Sequence, residues 1–346
     1  MNTSRKLKHT SLFLLLFAVA AVFFVLDIFV GSLSIPVKQV FAILLGISDA
    51  PEEIKTIVIS FRLPKALTAV VAGVALSVSG LQMQTIFRNP LAGPYVLGIS
   101  AGASLGVAIL VLGFSSVIAV DMFSTGGSWA LVIMAWLGSG LVMFLILAVS
   151  IRVKDILTIL ILGMLFASAA SAIVSIMQYF SNESMLKSFI IWTMGSLGSV
   201  TRSQLYVLVP SVIVGLAITF FSAKSLDVML LGEQYAKSMG LQVKMVRILV
   251  FFSTSILAGS ITAFCGPIGF IGIAVPHIAR LLFKTASHRI LIPASVLLGA
   301  IVMLLSDMVA QMPGFESTLP INSVTALVGI PVIIWIILKN RKFTSV

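Results

Sequence analysis

CGPIGFIGIAVPHIARLL, residues 265–282, is apolar enough to lie in a bilayer, yet it holds two prolines, three glycines, a histidine and an arginine. Backbone that leaves the helix inside lipid must be shielded by protein or line a water-filled cavity. Gly266, Pro267, Gly269 and Gly272 therefore point to a tight, non-helical junction where glycine lets neighbouring helices approach. His277 and Arg280 follow on one face of the helix that resumes. Pro276 frees backbone carbonyls in the turn before it for an outside donor. The pair can gate a path or meet an anionic ligand; equally, Arg280 can snorkel to the surface while His277 bonds to backbone. RNPLAGPYVLG, residues 88–98, has the same character, with Asn89-Pro90 and Gly93-Pro94 reading as a turn between spans. GPYVLGIS from residue 93 and GPIGFIGI from residue 266 each follow one span and open the next, on opposite sides, as in an inverted repeat.

The rest of the chain suits the same solvent. Of its 346 residues 59% are hydrophobic and 10% charged, and its mean hydropathy is +1.18, too little polar surface for a water-soluble globule. A span needs roughly 20 mainly apolar residues. Ten stretches qualify, near 11–31, 60–82, 95–114, 129–150, 156–180, 203–223, 246–265, 269–283, 291–311 and 321–338. They form one membrane domain over residues 1–346, and the first is long enough to read as an uncleaved span rather than a signal peptide. With the N-terminus inside, sixteen of the 22 Lys and Arg fall on the cytoplasmic side. The other six are Lys38, Lys55, Arg62, Lys65, Lys187 and Arg202. That asymmetry puts both ends in the cytoplasm. It also accounts for the net charge of +11 through the positive-inside rule and anionic lipid, with no nucleic-acid partner required.

Chemistry-bearing motifs are few. There is no G-x-x-x-x-G-K-[ST] nucleotide loop, no H-E-x-x-H, no Cys/His metal array and no G-x-S-x-G turn, so no catalytic or metal-ligating set is assigned. The single cysteine, Cys265, reads as a small packing residue. Asp307 is the acidic residue well inside a late span, either an ion site or a structural polar contact, with no evident partner. Met164, Ser168, Ser171, Ser175 and Gln178 recur at steps of four, three, four and three on span five. They make a weakly polar stripe that lines a passage or a helix contact. Residues 226–247 place Val228, Met229, Leu230, Leu231, Tyr235 and Met239 in a cytoplasmic loop, where Glu233 to Met239 fit a short helix stopped by Gly240. Exposed apolar groups of this kind meet a partner or fold back on the bilayer.

Six segments, in this order, resemble the FecCD/BtuC family, the membrane subunits of bacterial ABC importers for iron chelates, haem and cobalamin. They are FRLPKALTAVVAGVALSVSGLQMQTIFRNPLAGPYVLGISAGASLG at 61–106, IWTMGSLGSV at 191–200, LLGEQYAKSMGLQV at 230–243, GPIGFIGIAVPHIARLL at 266–282, HRILIPASVLLGAIVMLLSD at 288–307 and LPINSVTALVGIPVIIWIILKNRK at 319–342. The resemblance implies an all-α integral membrane subunit of ten transmembrane helices, a type II importer permease, paired with a second copy of itself in the bacterial cytoplasmic membrane. A cytoplasmic ATPase would sit under each subunit and bind the ATP and Mg, so that this chain needs no cofactor of its own. Residues 226–241 become the coupling segment, with Gly232, Glu233, Ala236 and Gly240 at the ATPase contact. Arg62 and Lys65 match the basic pair that docks an extracytoplasmic binding protein. Gln311 stands where relatives carry a third basic residue, and Asn322 where many have glycine. The cargo implied is an iron chelate or haem, with cobalamin as the alternative. A secondary transporter using Asp307, or a structural membrane protein, are the readings outside the family.

Overall fold

The computed structural model describes residues 3–31, 33, 35–47, 50–113, 125–150, 152–153, 155–311 and 318–339. The chain enters with α1 (Thr3–Phe29), followed by a short α2 (Val37–Leu44) that buries Val40 and Ile43. Next, α3 (Glu52–Thr56) passes through a π-helical stretch, Ile57–Arg62, into α4 (Leu63–Ile86). One helix of 35 residues therefore runs where the apolar pattern marks only 60–82. Pro64 accounts for the wide turns, because it has no N–H to return to the preceding turn.

A 3₁₀ turn at Pro94–Leu97 leads into α5 (Ile99–Ala108), which ends in a second π-helical stretch, Ile109–Gly113. Then come α6 (Thr125–Ser150) and α7 (Ile156–Tyr179). Asp155 caps α7, and bonds from the Thr158 hydroxyl and backbone N–H hold its carboxyl below the ordinary carboxylate range. That cap is intact at neutral pH and is lost as pH falls through the lowered value. The piece between spans five and six is not a plain loop: it holds α8 (Glu183–Thr193), capped by Asn182. A Thr201–Gln204 capping box opens α9 (Arg202–Phe221). The remaining helices are α10 (Ala223–Met229), α11 (Glu233–Ser238), α12 (Val243–Cys265), α13 (Ile271–Phe283), α14 (His288–Gln311) and α15 (Ile321–Lys339).

Among the described residues seven helices are long and apolar enough to cross a membrane, and Ile99–Gly113, Ile271–Phe283 and Ile321–Trp335 are shorter apolar helices. Together they occupy the ten expected stretches. The rings of His9 and Phe13 pack on Phe283, 5.6 and 4.6 Å away, while Asp27 meets Gln311 at the other end of α1. At the start of α15, Asn322 Oδ1 accepts from Gly269 N at 3.0 Å. Both described ends of the chain thus lie on the face that carries α11, the face to which charge asymmetry assigns the cytoplasm.

The centre of the protein is α4, packed along α14, α13, α12 and α9. Small residues set these distances. A Cβ on Gly73 would overlap the Gly299 carbonyl of α14, and one on Gly80 the Gly272 carbonyl of α13. Without a hydrophobic drive between helices in lipid, such close backbone approach and hydrogen bonds hold the bundle. Gln82 supplies the bonds, its amide reaching Thr219 at 2.8 Å on α9 and Thr254 at 3.2 Å on α12. Gly299→Leu should therefore lower the melting temperature of the detergent-purified chain by the equivalent of about 1–3 kcal/mol or prevent folding. Gly140→Ala, where a Cβ meets nothing within 4 Å, should leave it unchanged or slightly raised.

Candidate functional site

Two breaks in the helical order meet inside the bundle. Ile268 N lies 3.4 Å from the hydroxyl of Tyr95, and a Cβ on Gly272 would stand 2.7 Å from Pro94 Cδ. A Cβ on Gly266 would fall 2.5 Å from the Trp192 carbonyl, so the junction is as close-packed as its glycines imply. Pro276 has no N–H for the Gly272 carbonyl, and Gln84 of α4 is the donor that compensates. Its Nε2 lies 3.5 Å from Gly272 O and 3.1 Å from Ile273 O. The same side chain accepts from Arg280 at 2.5 Å. Arg280 thus reaches sideways to α4 instead of out to the surface. His277 Nε2 is 2.8 Å from the Pro90 carbonyl, and Asn89 closes its turn by accepting from Leu91 N at 2.9 Å.

On the face away from α11, Arg62 and Lys65 both have partners within this chain. Arg62 is buried, and its guanidinium donates to the carbonyls of Ile28, Phe29 and Leu33. The first two are carbonyls that the end of α1 leaves without intrahelical donors. Lys65 Nζ lies 3.2 Å from Asp307, whose carboxylate also accepts from Gln311 at 2.8 Å. Gln311 reaches Asp27 of α1 at 3.3 Å as well. The expectation that Asp307 lacks a partner is therefore corrected: a lysine, a glutamine and a second buried aspartate surround it. Gln311 is the link across α1 and α14. Lys65, Asp307 and Gln311 also line a cavity of about 250 Å³ shared with Gly195 and Leu319.

On the α11 face, a cleft of about 700 Å³ is bounded by Arg88, Ile156, Gly232, Glu233 and Tyr235. Gly232 has φ +114°, and a side chain there would meet the Arg88 guanidinium. Glu233 opens α11 and forms an ion pair with buried Arg247 of α12. Ala236 is fully buried, and Gly240 at φ +82° ends the helix. Leu230, Leu231, Tyr235 and Met239 are exposed, whereas α10 turns Met229 into the core and half-buries Val228, so those two are not part of the exposed apolar set. The expected short helix and its stop are both present.

Of the stripe on α7, Ser171 and Ser175 line a cavity of about 420 Å³ with Tyr95, Ser100, Ser104 and Thr193. Ser168 bonds instead to the Met164 carbonyl at 2.9 Å, and neither it nor Gln178 lines that cavity. Asp27, Gln84, Thr85 and the α8 side of the cavity went unmarked in the sequence. A polar residue inside an apolar span was the available signal for the first three.

The family model of the FecCD transport family matches residues 18–339. The chain belongs to the FecCD transport family. It is 35% identical over 293 residues to the hemin transport system permease protein HmuU of Yersinia pestis, covering 83% of this chain and 84% of that one. To the vitamin B12 import system permease protein BtuC of Salmonella typhi it is 36% identical over 282 residues, covering 81% and 83%. A solved structure described as an inward-facing ABC transporter of metal-chelate type superposes with a TM-score of 0.82 at 28% identity, covering 95% of this chain and 99% of that one. The FecCD chain is thus an all-helical, BtuC-like permease. The roles of its individual residues rest on the geometry above.

Lys65→Met leaves two buried carboxylates facing no cation, and should destabilise the isolated chain by about 3–5 kcal/mol in a detergent melt. Adding Asp307→Asn to Lys65→Met should recover much of the loss. A lysine kept only for docking would leave the isolated chain unaffected.

Proposed function

We propose that this FecCD chain is the permease subunit of an ATP-binding cassette importer that moves an iron chelate, a siderophore or haem, across the bacterial cytoplasmic membrane. Two copies form the pathway, a separate ATPase binds each at α11, and an extracytoplasmic binding protein delivers cargo on the opposite face. The observation that carries this reading is α11 beside an open cleft, with Leu231, Tyr235 and Met239 exposed among the described residues. Exposed apolar groups around a rigid short helix suit a protein partner. Gly232, Glu233, Ala236 and Gly240 shape that helix from beneath, and Ser171 and Ser175 offer the pathway hydroxyl groups without charge.

An ion-coupled carrier built on Asp307 has less support, because Lys65 and Gln311 already engage its carboxylate. Cobalamin stays in the cargo panel, since the haem and B12 relatives are 35% and 36% identical to this chain. The deciding experiment co-purifies the chain with an ATPase and binding protein encoded beside it and measures ATP hydrolysis and uptake in liposomes. Ferric siderophores, haem and cobalamin are tested in turn. Stimulated hydrolysis with uptake of one cargo is the expected result, and uptake by the chain alone down an ion gradient would overturn the reading.

The contact itself is tested by Tyr235→Asp combined with Met239→Asp. Capture of the ATPase should weaken about tenfold or more, as loss of an apolar interface anchor does, while the melting temperature of the chain alone is kept. Glu233→Arg is less clean, because it also breaks the pair with Arg247.

A further inference from the structure

The α11 face holds a further set of polar contacts. Asp227, on α10 just before α11, reaches the start of α14. Its Oδ1 lies 2.7 Å from both His288 N and His288 Nδ1, and its Oδ2 accepts from Ser287 Oγ at 3.3 Å. On the other edge of the ring, His288 Nε2 stands 2.7 Å from Thr85 Oγ1 of α4. The His288 side chain is 1% exposed and that of Asp227 33% exposed, so the chain of contacts runs from the surface into the bundle.

The hydrogen positions follow from what each group can give. An ionised carboxylate only accepts, so Nδ1 carries the hydrogen that faces Asp227. Thr85 Oγ1 is also 2.9 Å from the Leu81 carbonyl. Its single hydrogen goes either to Nε2 of a neutral ring or to Leu81, with a doubly protonated ring donating to the threonine. In both arrangements Asp227, His288 and Thr85 remain connected.

That connection spans three elements that have little room to move separately. Leu226 and Met229 are 0% and 2% exposed, which fixes α10 in the core. The backbones of α4 and α14 touch at Gly73 and Gly299. Near their far ends Lys65 of α4 pairs with Asp307 of α14. A displacement of α10 relative to the bundle must therefore break these bonds or carry α14 and α4 with it.

We propose that Asp227, His288 and Thr85 form the joint through which movement of α11 against its ATPase reaches the α4–α14 pair, all three acting as positioning residues for transport. The inference rests on the reading of α11 as the ATPase contact.

The test uses the assembled complex and a reporter on the far face. Met194 lines the cavity beside Lys65 and is 44% exposed, whereas the single native thiol, Cys265, is buried. Met194→Cys is labelled with a membrane-impermeant maleimide, with and without ATP plus vanadate. The parent is expected to change its labelling rate when nucleotide is trapped, and Thr85→Ser, which keeps the hydroxyl, to keep that response. Thr85→Val and His288→Gln should lose it, with ATP hydrolysis by the Thr85→Val complex remaining that of the parent. A purely structural hydrogen bond would lower the melting temperature and leave the nucleotide response in place. Retention of the nucleotide response in both Thr85→Val and His288→Gln would overturn the joint. A parent that hydrolyses ATP without any labelling change would remove the α11 reading and the joint with it. If His288→Gln does not assemble, the Thr85→Ser and Thr85→Val pair decides.

Discussion

A polar group inside a bilayer must find its partner within the protein, and α4 is where most of those partnerships are made. Water is absent as a fallback, so each unpaired group costs several kcal/mol, roughly the stability of a small domain divided by a few such groups. From one end to the other, Lys65 and Thr85 hold the two ends of α14, Gln82 meets α9 and α12, and Gln84 meets α13. The small residues between them bring the neighbours close enough for those bonds to form. Gly73 and Gly80 admit the backbones of α14 and α13, and the polar side chains then fix which turn of each neighbour faces which turn of α4. Dispersion contacts alone would tolerate a slide by one turn; the bonds do not.

The helix breaks are a consequence of the same accounting. Tyr95 and Ile268 meet where neither segment is α-helical, and such backbone survives inside the bundle because protein packs on it or it borders a cavity. Gln84 illustrates the reciprocity. Its amide nitrogen faces the carbonyl that Pro276 leaves without a donor, and its oxygen holds Arg280. Three features that look awkward in isolation, a proline in a helix, an arginine in lipid and a glutamine in an apolar span, satisfy one another.

Much of this was legible in the sequence, and the boundary is physical. Hydropathy over about 20 residues located the ten spans, because length and apolarity are properties of a segment by itself. Glycine and proline located the breaks for the same reason. Pairings between segments were hidden: nothing adjacent to Asp307 announces that Asp27, 280 positions earlier, shares Gln311 with it. Charge counting placed Arg62 and Lys65 on the face opposite residues 226–241 yet said nothing of their burial, since a basic residue serves equally as a helix-end cap, an ion-pair member or a surface group. The stripe on α7 divided for a similar reason. Periodicity showed that Ser168, Ser171, Ser175 and Gln178 share a side of one helix, and only the position of α8 and Tyr95 decided which of them border a cavity.

The helix that contains α4 is continuous over 35 residues, from Glu52 to Ile86. At 1.5 Å per residue an ordinary α-helix of that length measures about 52 Å, against roughly 30 Å of hydrocarbon. Even at a steep tilt such a rod is too long to be immersed, so it stands out of the oil at one end or both. At least one end therefore inhabits a different solvent from its middle, which is gripped by four other helices. Mechanically it is an axle: hydrogen bonds along its length resist stretching, and a push at one end arrives at the other as rotation or translation, with little lost to compression.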